Sequence, residues 1–462
     1  MEIVPIASRS AHAEGVNRLL ESYRSIPPTA TVRLAKPTSN LFRARAKSTA
    51  PGLDTSGLTG VIGVDPINRT ADVAGMCTYE DLVAATLPYA LSPLVVPQLK
   101  TITLGGAVTG LGIESTSFRN GLPHESVLDM DILTGSGEIV TASPHQHPDL
   151  YRGFANSYGT LGYSVRLRIE LEPVKPFVAL RHIRFHALDE LVTVMDSITD
   201  SATFQGDRVD YLDGVVFSAD ESYLCLGTQT AVSGPVSDYA GQQIYYRSIQ
   251  HSEGTIRDRV TIHDYLWRWD TDWFWCSRAF GAQNPRVRRL WPRRYRRSSV
   301  YWKMIGLDRR YNIADRIERF NGRPARERVV QDVEVPLENT AAFLQWFLDE
   351  VPIEPIWLCP LRLRDTPEPA GWPLYPIRPG HTYVNIGFWS SVPAGATDGA
   401  TNRLIEDKVG ELGGHKSLYS ESFYPLDEFE DLYGGEHYRT LKKTYDPDNR
   451  LLDLYAKAVR RQ

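Results

Sequence analysis

The chain has 462 residues, 42% hydrophobic and 23% charged, with a formal net charge of −5. That composition supports two or three globular domains with sizeable cores and excludes collagenous, low-complexity and disordered classes. Its four cysteines, Cys77, Cys225, Cys276 and Cys359, form no C-x-x-C pair, which argues against structural zinc and a disulfide framework and fits a reducing cytoplasm. The N-terminal segment MEIVPIASRSAHAEG lacks a long apolar core, so no signal peptide is expected. No run of about 18 apolar residues predicts a membrane-spanning helix.

In chain order, Val16, Leu19, Leu20 and Tyr23 give Ala11 to Arg24 helical spacing. Thr31 to Leu34 reads as extended, and a polar, basic loop follows from Ala35 to Ala46. Val61–Val64 and Thr70–Val73 flank a turn, Asp65-Pro66-Ile67-Asn68. Thr78 is placed to cap a helix that Pro88 stops. A glycine-rich loop with Gly105, Gly106, Gly110 and Gly112 comes next. Backbone without Cβ atoms can approach a ligand closely there, and bare amides can cradle a pyrophosphate. Val127–Leu133 and Glu138–Ala142, joined by Thr-Gly-Ser-Gly, read as a β-hairpin. The rhythm changes at Pro173-Val174-Lys175-Pro176, where a domain boundary is expected. Beyond it, Val329–Val335, a helix over Leu337–Glu350, Ile356–Leu363 and Thr382–Phe388 predict a sheet with a helix on one face. The last forty or so residues carry a helical pattern.

Gly110-Leu111-Gly112-Ile113-Glu114-Ser115 begins as G-x-G-x-x-S, one letter from the dinucleotide fingerprint of a Rossmann fold. That fingerprint needs a buried strand before it and a helix after it. Ser115–Gly121 is poor helix material and a hairpin follows, so the Rossmann reading is disfavoured.

The run T-x-G-G-x-x-x-G-x-G-x-E-S, then N-G-L, then D-I-L-T-G-S-G-E-I-V resembles the FAD-binding domain of the vanillyl-alcohol-oxidase-type (PCMH) flavoproteins. Asn156–Gly162 matches that family's second flavin-contacting loop. Ile113-Glu114-Ser115, Pro355-Ile356-Trp357-Leu358-Cys359-Pro360 and Tyr383–Gly387 are similar to the Δ24-sterol reductase (Diminuto) branch. Within that branch the chain looks most like the actinobacterial flavoproteins that reduce 10-methylene fatty acyl chains to 10-methyl chains, the last step to tuberculostearic acid.

The resemblance implies an α+β fold in three parts. These are a PCMH-type FAD domain over residues 1–175, a mixed or antiparallel-sheet substrate (cap) domain over 176–425, and a helical segment over 426–462 that returns to the FAD domain. It places Thr103, Gly105, Gly106, Gly110, Gly112, Glu114 and Ser115 around the pyrophosphate and flavin ring. Gly159, Thr160 and Gly162 fall on the adenine side or the ring edge. Lys36, Asn40 and Arg43 occupy the family's first phosphate-binding loop. That loop lacks the usual Gly-Gly-His-Ser cluster and has no histidine or cysteine, so FAD is expected to be bound without a covalent link there. NADPH is the expected reductant.

Hydride reduction of an isolated alkene requires a proton donor, because the alkene is no electrophile until protonated. The segment Ile262–Trp275 (IHDYLWRWDTDWFW) combines acids and π-faces, and resembles the sterol reductases at Tyr265, Arg268, Phe274 and Trp275. Tyr265 and His263 are candidate proton donors. Asp264 or Asp270, if desolvated, could act as an acid of raised pKa. Arg268 could bind a nicotinamide phosphate or hold an acid in place, and Glu114 is a further acid candidate. His124 is read as structural. A dense aromatic run is also what an ordinary core looks like.

Arg286–Arg297 holds seven arginines in twelve residues, interleaved with Trp291 and Tyr295. A solvated face is the plain reading, no nucleic-acid fold pattern accompanies the run, and an anionic bilayer surface fits it. The expectation is an FAD-dependent, NADPH-driven reductase of a phospholipid-linked acyl alkene, peripheral on the inner face of the plasma membrane. A methyltransferase that makes the alkene is a candidate partner. A sterol side-chain reductase, an FAD-dependent alcohol oxidase and a non-catalytic membrane-associated flavin-fold protein remain open.

Overall fold

The computed structural model describes residues 9–36, 43, 51–241, 243–250, 254–311, 316, 322, 324–364 and 371–461. After a helix Arg9–Ser25, two short strands, β1 (Arg33–Leu34) and β2 (Gly52–Leu53), pair in parallel. The hairpin β3 (Val61–Asp65) and β4 (Thr70–Ala74) follows, with Asp65 Oδ1 accepting from the amides of Ile67 and Asn68 in its turn. Thr78 caps the helix Tyr79–Thr86 by accepting from the Asp81 amide. Next come β5 (Leu91–Pro93), β6 (Val127–Thr134), β7 (Ile139–Ala142) and the long β8 (Gly162–Pro173). These strands make a six-stranded antiparallel sheet in the order β3-β4-β8-β6-β7, with β5 also pairing β8.

The chain enters a second sheet at β9 (Phe177–Phe185). A helix Leu188–Ser201 and the small hairpin β10 (Thr203–Phe204) and β11 (Asp207–Arg208) follow. Then come β12 (Tyr211–Ser218), β13 (Glu221–Thr230), β14 (Thr255–Thr261), β15 (Arg326–Pro336), β16 (Ile356–Leu361), β17 (Tyr383–Pro393) and β18 (His415–Lys416). Eight of these form an antiparallel sheet in the order β14-β9-β13-β12-β16-β17-β15-β18. The α+β class with antiparallel sheets is as expected.

Side chains alternate across strands, so this sheet has two distinct faces. Ile356, Leu358, Val329, Val333 and Val335 pack with Leu191, Met195, Phe343 and Phe347 of the helices Leu188–Ser201 and Thr340–Glu350. Trp357, Cys359 and Trp389 alternate onto the other face and share a core with residues of the six-stranded sheet. The central strand β16 is therefore buried along its whole length, and reads as a continuous apolar run.

The C-terminal helices Leu426–Leu432, Gly435–Tyr445 and Leu454–Ala458 bring the chain back to the first sheet. The Ser136 amide donates to Tyr445 O and the Val32 amide to Arg450 O, at 3.1 and 2.8 Å. Lys442 Nζ donates to Thr160 O at 2.9 Å. The β6–β7 turn needs Gly135 for this docking, because a Cβ there would lie 2.1 Å from Asp446 Oδ1.

Two local expectations are corrected. The glycine-rich segment is not a loop throughout: Leu104–Gly110 is a helix capped by Thr103. The segment Ser115–Gly121 contains a helical turn, Ser117–Asn120, that packs near β16. Both runs are too short and glycine- or serine-rich for propensity to reveal them, and neighbouring strands supply their stability.

Candidate active site

A cavity of about 480 Å³ lies between the first sheet, the helix Leu104–Gly110 and the site-facing side of the second sheet. Thr103, Gly105, Gly106, Gly110 and Gly112 line one wall, and Tyr158, Gly159, Gly162 and Ser164 another. Trp273, Phe274, Trp357 and Trp389 form an aromatic wall. Phe274 packs on Trp389 and Trp357 with ring centroids 4.4 and 5.6 Å apart.

Four cations, Arg33, Lys36, Arg43 and Lys457, line the cavity against one carboxylic acid among the described residues, Asp332. Lys36 Nζ donates to Thr103 Oγ1 at 3.3 Å, and Lys457 Nζ to Tyr158 O at 2.5 Å. Arg43 is buried, donates to Leu418 O at 3.0 Å, and stands 5.6 Å from the Tyr158 ring centroid. Asn40 lies outside the described residues.

The expected amide cradle is not at the start of the glycine helix. The amides of Leu104 and Gly105 donate to Cys77 O and Gly75 O, and that of Gly106 donates to Thr103 Oγ1. Gly105 is small for packing: a Cβ there would sit 2.4 Å from Ser164 Oγ and 2.6 Å from Gly75 O. At Gly106 a Cβ would meet nothing but Thr103 Oγ1, at 2.9 Å, so this position opens onto the cavity. Past the helix, the chain Leu111-Gly112-Ile113 also runs along the cavity wall. Glu114, Ser115 and Thr160 do not line the cavity. Thr160 is buried, and its hydroxyl donates to Ser157 O at 2.7 Å.

Three of the separately proposed candidates, Tyr265, Arg268 and Glu114, lie together behind the aromatic wall instead of at the cavity. Arg268 Nη2 donates to Asp213 Oδ2 at 2.8 Å and to Glu114 Oε1 at 3.2 Å, and its guanidinium lies 4.0 Å from the Tyr265 ring centroid. Ser115 Oγ donates to Glu114 Oε1 at 2.8 Å and lies 3.0 Å from Tyr265 Oη. The void that Glu114, Ser115, Tyr265 and Arg268 line measures about 10 Å³. Burial pushes the Glu114 carboxyl above its usual range, against the pull of Arg268. A proton held on Glu114 leaves Arg268 and Asp213 as a matched ion pair. Trp357, a cavity-lining residue, donates its indole N–H to Asp213 Oδ2 at 3.2 Å, so the network orients the aromatic wall from behind.

His263 and Asp264 are removed from the site. They pair with each other at 3.2 Å, and the His263 side chain is 51% exposed. Of the two aspartates that could serve as an acid of raised pKa if desolvated, Asp264 does not meet the condition. Burial raises its carboxyl, but hydrogen bonds from His263 and Thr261 together with the charges of His263 and Arg293 bring it below its ordinary value. Asp270 is buried and raised by that burial, and it acts as a tether. Its Oδ1 accepts from the Lys100 amide at 3.0 Å and from Ser298 Oγ at 2.5 Å. The turn it anchors carries Trp273 and Phe274 at φ of 46° and 56°. Left-handed backbone at two adjacent bulky residues costs of order 1–3 kcal/mol each and persists because the surroundings enforce it. Here it presents both rings to the cavity. His124 is buried edge-on against Trp372, with its pKa pushed down to about 3 by desolvation.

Asp332 is the site residue that the pattern of the sequence hides. Strand β15 alternates Val329, Val333 and Val335 toward the helices with Asp332 and Glu334 on the opposite face. An acidic strand face normally means solvent. Here it is covered, and burial raises Asp332 to about 7.

In the basic segment, Arg288 and Arg296 are structural. Arg288 is buried on Asp272 at 2.6 Å, and Arg296 donates to Gly241 O and Trp291 O. Arg293 and Arg297 pair with Asp238 and Glu80, at 2.9 and 2.5 Å. Arg286, Arg289 and Arg294 are exposed beside Val287, Leu290 and Tyr295, with Leu290 84% exposed.

Residues 32–143 match the FAD binding domain family. The chain is 25% identical over 420 residues to the Delta(24)-sterol reductase of Rattus norvegicus, covering 86% of this chain and 74% of the relative. The Arabidopsis thaliana Delta(24)-sterol reductase is 25% identical over 442 residues, covering 88% and 76%. Cytokinin dehydrogenase 4 of Arabidopsis thaliana is 28% identical over 173 residues, covering 37% and 33%. The cavity fits the dinucleotide. Cations outnumber its one acid, as a diphosphate requires, planar aromatic walls suit flat heterocycles, and Gly106 leaves open the space a side chain would fill.

Proposed function

We propose that this FAD-dependent oxidoreductase reduces an unactivated carbon–carbon double bond of a lipid, with NADPH as reductant. The substrate we favour is a 10-methylene acyl chain of a phospholipid, converted to its 10-methyl form in tuberculostearic acid synthesis. The observation that carries this reading is the aromatic wall of Trp273, Phe274, Trp357 and Trp389 along a cavity that also holds a carboxylic acid. Lys36, Arg43, Arg33 and Lys457 are the residues that would hold the diphosphate. Bound FAD, once reduced, supplies a hydride. Protonating the CH₂ of a 1,1-disubstituted alkene places positive charge on the more substituted carbon. π-faces stabilise such a cation by about 0.5–2 kcal/mol each, and the same rings keep water from capturing it.

The test is direct. Anaerobic NADPH titration of purified protein is expected to bleach a flavin spectrum, and methylene-bearing phospholipid is expected to gain two hydrogens by mass. Flavin-loaded, NADPH-reduced protein that leaves the lipid unchanged overturns the reading. Rapid reoxidation by air with substrate-dependent peroxide points to an alcohol oxidase instead.

Delivery of such a substrate calls for contact with an anionic bilayer on the cytoplasmic side, where a methyltransferase would supply the alkene. Arg286, Arg289 and Arg294, with Leu290 between them, have the chemistry for it. Each basic residue near such a surface contributes about 1 kcal/mol. Replacing all three with glutamate is expected to weaken binding to phosphatidylglycerol vesicles by on the order of 100-fold in a sedimentation assay. Activity on detergent-dispersed lipid should be unchanged. Equal vesicle binding by the triple variant removes this surface from the proposal.

A further inference from the structure

We infer that Asp332 is the proton donor to the alkene, set in place by Asn385, Gly387 and Tyr419. This deepens the reading of the chain as an alkene reductase and rests on it. Asp332 lines the same cavity as the aromatic wall and the glycine helix. It stands opposite Gly387 across the β15–β17 register, and a Cβ at Gly387 would come within 2.4 Å of Asp332 Oδ1. The missing side chain makes room for the carboxyl. Asn385 Nδ2 reaches Oδ1 at 3.4 Å, and the Asp332 carbonyl takes the Ser417 amide at 3.0 Å. Tyr419 hydrogen-bonds the carboxyl and itself accepts the Trp389 indole N–H at 2.9 Å. The acid is thus tied to a ring of the wall that would face the cation.

The other proton-bearing groups at the cavity are poorer acids. Burial pushes the Cys276 thiol to about 12 and drives the Tyr158 and Tyr419 phenols far above their usual range. Asp332, raised by burial to about 7, is half protonated near neutrality. The groups around it are Glu334 on its own strand, Cys359 on β16, Tyr158 and Tyr419.

In the step, the Asp332 O–H bond breaks and the alkene π pair forms a C–H bond at the terminal carbon. Bound, reduced FAD would supply the hydride that completes the cation, and the carboxylate would regain its proton from water. The alkene is reduced by two electrons, and NADPH is ultimately oxidised.

Asp332→Asn keeps the shape and removes the proton. The variant is expected to keep its FAD spectrum and its reduction by NADPH, while lipid reduction falls by about 10²–10⁴-fold, the usual share of a general acid. A readout independent of turnover follows from linkage. The folded acid binds its proton more tightly than the unfolded one, whose ordinary value is 3.8. Asp332's contribution to stability therefore declines as pH rises from about 4 to about 7, and the variant lacks that declining contribution. The variant's melting temperature should gain on wild type across that window. Asp332→Ser serves as the second variant if the asparagine form does not fold. Wild-type rates of lipid reduction in a flavin-loaded variant overturn the inference, as does an identical pH dependence of melting. A wild-type protein that takes up FAD and NADPH electrons but reduces no alkene refutes the functional reading itself, a result distinct from either.

Discussion

Arg268→Met is expected to cost about 3–5 kcal/mol of stability, because it leaves the buried Asp213 carboxylate without its cation. Methionine retains most of the side-chain volume, so the loss reports charge and not a cavity. Arg268 is 1% exposed, and Asp213 and Glu114 are buried with it. Asp213 Oδ1 and Glu114 Oε2 have no partner among the described residues, and the donors that remain without Arg268, the Trp357 indole on Asp213 and Ser115 on Glu114, are neutral. The double variant Arg268→Met/Asp213→Asn removes both charges and should recover a large part of the loss. Equilibrium urea unfolding of the three proteins checks both results. A single variant as stable as wild type would show that water reaches these carboxylates. Because Asp213 also holds Trp357, the single variant should disturb tryptophan fluorescence before global unfolding.

Gly106→Val is expected to weaken FAD binding about 10- to 100-fold while leaving the fold intact. The first branch atom would press on Thr103 Oγ1, 2.9 Å away, and the rest of the side chain would enter the cavity. Crowding of this kind costs about 1–3 kcal/mol, and each 1.4 kcal/mol is a factor of ten in affinity. The contrast is Gly105→Val, whose added atoms run into Ser164 Oγ and the Gly75 carbonyl. That change damages the packing of the helix on the first sheet, so it should reduce stability as well as binding. Isothermal titration with FAD, paired with thermal melting, separates the two. Equal affinity in Gly106→Val would place the flavin elsewhere.

The glycine-lined wall of the cavity was legible because its signals are local. The β6–β7 hairpin, the capped helix at Thr78 and the glycines of residues 105–112 each act through neighbours in sequence. Even there, seven residues of helix were read as loop, since glycine-rich propensity gives no hint of a helix held by strands around it. The catalytic half was read from the density of acids and rings in Ile262–Trp275. That run supplied Trp273 and Phe274 to the cavity. Tyr265 and His263 of the same run do not line the cavity, because spacing along a chain of short turns does not say which side chain faces inward. No local feature marks Asp332, Trp389 or Tyr419, which lie on three separate segments.

The sequence by itself determined the α+β class and the strand-rich first half through short-range periodicity and turn chemistry, whereas the return of the C-terminal segment to that half was implied only by the family resemblance. Only the tertiary structure decided which acid meets the cavity. A strand face with Asp332 and Glu334 reads as wet until the turns that carry Tyr419, Ser417 and Tyr375 close over it, and burial, not residue type, sets whether a carboxyl keeps its proton.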